Sequence, residues 1–210
     1  MKKLLIIASF FICQLVAAQV NAVTDTGDTV VLYDDGTWKY LDDSVRADRE
    51  IKTNPASFST PSESTFMLKS KGTPYGFNLN PKKWSFQKSA ENDEAEFELV
   101  LKGEDLYGMI LTEKVEIPLE SLRELAIENA RLAAPDIYVV TEEYRMVNGK
   151  KVLFLQMNGT LQGIKFSYYG YYYSNVHGTV QYITYTSQNL LSEYRPYCDD
   201  LLNGLVTLEE

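Results

Sequence analysis

Between residues 137 and 186 the chain carries four runs rich in β-branched and aromatic residues, at 137–147, 150–161, 164–174 and 179–186. Only Asn148-Gly149, Gln162-Gly163 and the Val176-His177 break separate them. Connections this short join antiparallel neighbours, so the runs predict a meander. A two-residue turn also sets register, because the residues flanking it must pair. The expected pairs are Met157 with Tyr168, Leu155 with Gly170, Tyr168 with Tyr185 and Gly170 with Ile183. Side chains alternate along a strand, so these residues share a face with Leu153, Phe166 and Tyr172. That face is expected to bury against helices. The opposite face collects Phe154, Gln156, Asn158, Lys165, Ser167, Tyr169, Tyr171, Tyr173, Tyr182 and Thr184, and is aromatic and polar at once.

Strands are also expected at 66–70, 75–79, 84–87, 95–102 and 107–115, the last two joined through Gly103-Glu104-Asp105. Pro118 opens a helix where its missing N–H costs little. Leu122, Leu125, Ala126, Asn129, Leu132 and Ala133 then recur at helical spacing until Pro135. Glu120, Arg123, Glu124, Glu128 and Arg131 form its solvated outer face. A closing helix is expected from near Ser192, with Leu190, Tyr194, Tyr197, Cys198, Leu201, Leu202 and Leu205 as its apolar stripe. Pro196 fits that helix only in the first turn.

The N-terminal part reads differently. Met1 to Ala18 has Lys2 and Lys3, an apolar run from Leu4 to Ile12, and Val16-Ala17-Ala18 before Gln19, the pattern of a signal peptide cut after Ala18. The run is too short to span a bilayer, and no later stretch reaches that length. Phe10-Phe11-Ile12 before Cys13 lacks the small residue that lipoprotein processing uses. Cleavage would leave Cys198 without an intrachain disulfide partner. Residues 29–41 are two β-rich runs around Asp35-Gly36, a hairpin signal. Isolated hairpins are marginal in water, which makes Trp38 and Tyr40 docking anchors. Asp42 to Thr65 is polar, holds Pro55 and Pro61, and reads as linker. The expected organisation is therefore a signal peptide (1–18), a β-hairpin (19–41), a linker (42–65) and an α+β domain (66–210), secreted or periplasmic.

Composition supports a packed core, since 45% of residues are hydrophobic and 12% aromatic. Lys and Arg number 20 against 29 Asp and Glu, a net charge of −9 that disfavours nucleic acid as a partner. Motifs of chemistry are sparse. Asp25-Thr26-Gly27 matches the core of an aspartic protease, but no second copy exists to pair the carboxylates. His177, the single histidine, lies in an expected turn, which excludes a multi-imidazole zinc site and, without a Gly-x-Ser-x-Gly elbow, a triad. Cys198 falls on an apolar stripe, where a thiol is packing. Asp34/Asp35, Asp42/Asp43 and Asp199/Asp200 lack the alternating spacing of a calcium loop. No phosphate-binding glycine loop is present, and Asn158-Gly159-Thr160 falls inside an expected strand. No catalytic residue, metal site or cofactor is expected.

Several segments carry a family likeness: Tyr75-Gly76-Phe77 with Pro81 to Trp84, the Pro118-Leu119-Glu120-Ser121-Leu122 helix start, and Asn148-Gly149-Lys150-Lys151 leading into aromatic hairpins. Tyr182-Ile183-Thr184-Tyr185-Thr186 and the helix after it complete the pattern. Over residues 66 to 208 this resembles the PsbP-like family, which includes an extrinsic subunit of photosystem II, a yeast nuclear Ran-binding protein and bacterial relatives, some of them secretion chaperones. The resemblance implies an antiparallel sheet flanked by helices, an α/β/α sandwich, and a role in binding other proteins. It transfers no metal or partner residues to this chain.

The Tyr-rich face is the one unusual surface, since tyrosine offers stiff contact area with a hydroxyl handle. Tyr169, Tyr171, Tyr173 and Tyr182, with Gln156 and Asn158 as polar partners, are the candidate binding residues if the face is open. They are core if helices cover it. The expected function is a non-catalytic binding or accessory protein with a protein partner in the cell envelope. An envelope hydrolase or metal-dependent enzyme assembled from dispersed Asp, Glu and Tyr is the alternative.

Overall fold

The computed structural model describes residues 20–23, 29–33, 38–41, 51–89 and 95–208, in two compact units, Met1–Glu50 and Ile51–Glu210. The leader, Cys13, Asp25-Thr26-Gly27, the Asp35-Gly36 turn and Asp42/Asp43 lie outside the described residues. In the first unit β2 (Thr29–Leu32) pairs antiparallel with β3 (Trp38–Tyr40), as the hairpin signal requires. A further strand, β1 (Val20–Val23), pairs with the other edge of β2. Val30 and Val31 on the central strand are buried, whereas Val20, Val23, Leu32 and Leu41 are exposed. Trp38, expected to anchor, is 49% exposed.

The second unit is built on an eight-stranded sheet. Its strands are β4 (Thr53–Phe58), β7 (Trp84–Lys88), β8 (Phe97–Leu101), β9 (Tyr107–Glu113), β10 (Tyr138–Val147), β11 (Lys150–Leu161), β12 (Ile164–Asn175) and β13 (Gly178–Ser187). The order across it is β4-β10-β11-β12-β13-β9-β8-β7. The meander β10 to β13 forms with the expected register, and all four predicted pairs are present. Its first two turns carry positive φ at both central residues, 48° and 78° at Asn148-Gly149 and 50° and 82° at Gln162-Gly163. Such turns match the twist of the strands they join.

Strand β4 corrects the linker reading for its own residues. It pairs parallel with β10 at the sheet edge, through bonds such as Tyr144 N to Lys52 O (2.9 Å) and Asn148 N to Phe58 O (2.9 Å). An edge strand held by its backbone needs no apolar alternation, and Pro55 is tolerated there. This is why the segment looked unstructured.

Helix α1 (Leu119–Ala133) begins after Pro118 and stops before Pro135, as expected. It packs Leu122 and Ala126 on Leu153, Leu155, Tyr172 and Ile183, and Ile127 and Ala130 near Met157 and Phe166. On the opposite face lie helix α2 (Leu191–Leu202) and a small sheet of β5 (Phe66–Lys69), β6 (Tyr75–Leu79) and β14 (Leu205–Thr207) in the order β14-β6-β5. Two details of α2 differ from expectation. Pro196 is the sixth helical residue, where it removes a bond on the exposed side. The helix ends at Leu202, and Leu205 belongs to β14, because Gly204 lets the chain pass close to β6. A Cβ at Gly204 would lie 1.9 Å from the Asn78 carbonyl oxygen. The unit is thus α+β, an antiparallel-dominated sheet with a helix on each face.

Candidate functional site

The two faces of the large sheet carry different tyrosines, and the structure treats them differently. Tyr169, Tyr171 and Tyr182 are at most 2% exposed, packed with Phe154, Phe77, Cys198, Leu201 and Leu202 beneath α2 and the small sheet. Phe154 meets Tyr169 edge-on at 4.6 Å, and Phe77 meets Tyr182 at 5.1 Å. Gln156 is buried, and Tyr173 and Asn158 are half-buried at the ends. Asn175 Nδ2 donates to the Tyr173 hydroxyl (3.1 Å), and Ser167 Oγ donates to Asn158 Oδ1 (2.7 Å). The face expected to be open is therefore core. The correction has a simple cause: the closing helix and three further strands pack on this side, and they come from segments whose placement no turn dictates.

Two of these tyrosines nevertheless meet polar partners, in a cluster that the sequence reading missed. Arg145 on β10 is buried, with its guanidinium 3.8 Å from the centre of the Phe154 ring. Its Nε donates to Glu143 (2.6 Å) and its Nη1 to the Tyr171 hydroxyl (3.2 Å) and Asp199 (3.3 Å). Tyr169 donates to Asp199 (2.6 Å), Tyr171 to Asn203 Oδ1 (3.0 Å), and Asn54 Nδ2 to Glu143 (3.1 Å). The cluster ties β4, β10, β12 and α2 together. Burial pushes the Tyr171 hydroxyl up to about 12 against the pull of Arg145, and burial followed by Asp199 raises that of Tyr169. Burial opposes the charge on Arg145, but Tyr171, Glu143 and Tyr169 hold its proton above the usual range. These groups satisfy one another, which is the behaviour of a structural clamp.

The other face is covered on one side only. Helix α1 packs on β11 and β12. Arg123 binds Glu142 through its Nη2 at 3.1 Å, and the Tyr144 hydroxyl donates to Glu120 at 3.2 Å, so this flank of α1 turns toward β10. The helix reaches Ile183 on β13, with Met109 and Leu111 of β9 packed at the margin of the same cluster, and past that margin Val100 and Tyr107 are exposed. There the directly paired residues Tyr107, Tyr185 and Tyr168 form a ladder across β9, β13 and β12. Tyr107 stacks on Tyr185 with ring centres 5.5 Å apart, Tyr185 meets Tyr168 at 6.2 Å, and Tyr168 meets Phe166 at 4.8 Å. Val100, opposite Tyr107 on β8, extends it, and both are 37% exposed. Glu98 borders the ladder, accepting from Ser89 (2.6 Å) and Gln87 (2.9 Å), and these bonds hold its carboxyl below the usual range. Burial, then Glu98, raises the Tyr185 hydroxyl.

The sequence contained half of this surface. The turn register already set Tyr168 beside Tyr185, but nothing local says that β9 adds to β13 and brings Tyr107 alongside. A second exposed aromatic pair, Phe66 with Phe86, stacks at 5.2 Å where the edge strands β5 and β7 approach. His177 is exposed in its turn, with its backbone N–H bound to Asn175. The Cys198 thiol is buried and pushed up to about 12 by that burial. Among the described residues no group of three or more His, Cys, Asp and Glu is placed to hold a metal, and no helix is long and apolar enough to cross a membrane.

No family model matches the chain, and no curated protein matches it either. Solved structures do. The antiparallel sheet with a helix on each face is a PsbP-like fold, as the likeness over residues 66 to 208 implied. Cyanobacterial PsbP (CyanoP) from Synechocystis sp. PCC 6803 superimposes with a TM-score of 0.52 at 10% identity, over 72% of this chain and 97% of that one. A Bacteroides thetaiotaomicron protein matches with a TM-score of 0.47 at 11% identity, over 70% of this chain and 50% of its own. LpqN, involved in cell envelope biogenesis of Mycobacterium tuberculosis, matches with a TM-score of 0.38 at 10% identity, over 80% and 97%. At such identities the likeness concerns the fold.

Proposed function

We propose that this protein is a non-catalytic accessory protein of the cell envelope, secreted or periplasmic after cleavage near Ala18, which engages a protein partner through the open aromatic half of its sheet. The observation that carries this reading is the Tyr107–Tyr185–Tyr168 ladder, which runs from half-buried Tyr168 beside α1 to an exposed end at Tyr107 and is extended by Val100. Tyrosine-rich surfaces with an apolar body and a polar border are the composition of protein interfaces. The partner surface thus moves from the Tyr169/Tyr171 face to its reverse. The leader sequence supports the compartment, and a histidine standing alone in a turn and a buried thiol support the absence of catalysis.

Site-directed photo-crosslinking in cells tests it. A photoreactive residue at position 107 is expected to yield a discrete adduct with another protein, whereas the same residue at His177, exposed in its turn, yields none. Equal labelling from both positions, or none from 107, would overturn the assignment.

A further inference from the structure

The chain holds three Asn-Gly dipeptides, at 148, 158 and 203, and two of them meet at one joint away from the ladder. Asn148 sits half-buried in the β10–β11 turn at φ 48°, beside exposed Gly149 at φ 78°. Its side-chain carbonyl accepts from Thr60 N (3.0 Å), just past β4. Its Nδ2 donates to Thr60 Oγ1 (3.1 Å), to the Asn203 carbonyl after α2 (2.8 Å) and to the Leu205 carbonyl in β14 (2.9 Å). Thr60 Oγ1 donates in turn to the same Asn203 carbonyl (3.1 Å). One carboxamide therefore fastens the tail of β4, the first meander turn, the end of α2 and β14.

Asn-Gly is also the dipeptide that loses its side-chain amide most readily, because no side chain on the glycine shields the attacking nitrogen. We propose that Asn148 is a deamidation site guarded by this joint, and that its conversion releases β4 irreversibly. The Gly149 nitrogen attacks Cγ of Asn148, a C–N bond forms, the Cγ–Nδ2 bond breaks, and ammonia leaves with the proton that Gly149 gives up. Water then opens the imide to aspartate or isoaspartate. Ring closure requires Cγ to swing onto the Gly149 nitrogen, and a side chain held by these bonds cannot swing without releasing them. The reaction therefore draws on the fraction of molecules in which the joint is open. Its product cannot rebuild the joint: a carboxylate oxygen in place of Nδ2 meets the Asn203 and Leu205 carbonyls acceptor to acceptor, and isoaspartate lengthens the backbone of a turn that sets strand register. Release of β4 leaves β10 as the sheet edge, its N–H and C=O groups open to another strand.

The test incubates the folded full chain and a peptide spanning residues 144–153 in the same mildly alkaline buffer, and follows Asn148 by peptide mapping and mass spectrometry, which separates it from Asn158 and Asn203. Asn148 in the folded chain is expected to react at least about tenfold more slowly than in the peptide. Thr60→Val, which trades the hydroxyl for a methyl, should speed the reaction in the folded chain about fivefold, the factor for one hydrogen bond. Asn148→Asp, which installs the product, should speed hydrogen exchange in residues 53–60 and 203–207 while α1 keeps its protection. Equal rates in folded chain and peptide would overturn the guard, as would Thr60→Val without effect. Unchanged exchange in Asn148→Asp, or loss of protection in α1 as well, would overturn the release.

Discussion

The two faces of the large sheet are made by the same strands from the same kinds of residue, yet one is sealed and the other half open. On the α2 side, Tyr169, Tyr171 and Tyr182 sit with Phe77 and Phe154 in a closed core, and their hydroxyls must find partners inside the protein. Those of Tyr169 and Tyr171 do so through Asp199, Asn203 and Arg145, while the Tyr182 hydroxyl has none among the described residues. On the α1 side the helix stops short, and Tyr107, Tyr168 and Tyr185 keep contact with water. Position in the pleat, not residue type, decides whether a tyrosine here is packing or surface.

This contrast can be broken by substitution. The largest effect is expected from Tyr182→Ala, which empties a fully buried ring site and should cost about 4 kcal/mol in a urea denaturation experiment. Tyr107→Ala on the open face should cost less than ~1 kcal/mol in the same experiment. Comparable losses at the two positions would show that the α1 side is closed as well. Next comes Arg145→Ala. Removing the buried guanidinium takes a charged hydrogen-bond partner from half-buried Glu143 and Asp199 and from the Tyr171 hydroxyl, and about 2 kcal/mol of stability should go with it. A double-mutant cycle with Asp199→Asn should then show strong coupling, and additive losses would mean that the clamp is not a unit. The smallest change has the opposite sign. Tyr182→Phe deletes a buried hydroxyl without a partner and should stabilise the protein by about 1 kcal/mol, read as a rise in the urea midpoint. A loss instead would reveal a hydrogen bond to that hydroxyl.

How much of this was legible follows from how far apart the interacting residues are. Wherever a short turn joins two strands the sequence reading held residue by residue, as in Leu155 with Gly170 and Tyr168 with Tyr185. It did not reach β4, which joins β10 across a separation of dozens of residues through backbone bonds and the Asn54–Glu143 pair, none of them signalled by an apolar period. Nor did it anticipate that Leu205 would leave the helical stripe for β14, since the signal is a close approach to Asn78 from a distant part of the chain. Of the candidate residues, Tyr169 and Tyr171 belong to a polar cluster, but their partners Arg145 and Asp199 lie 26 and 30 positions away.

The amino-acid sequence by itself determined the two helices, the meander, its register and hence which side chains of the meander share a face. These rest on turn chemistry and on the alternation of the pleat, both of which act between neighbours. Which face would be covered was decided only in the tertiary structure. Burial of apolar area is non-directional, so a helix carrying an apolar stripe can pack on either side of a sheet that is apolar on both. The long-range pairing of β9 with β13 and the docking of β6 and α2 settled that choice, closing the face that had the more promising tyrosines and leaving the Tyr107 end of the other exposed.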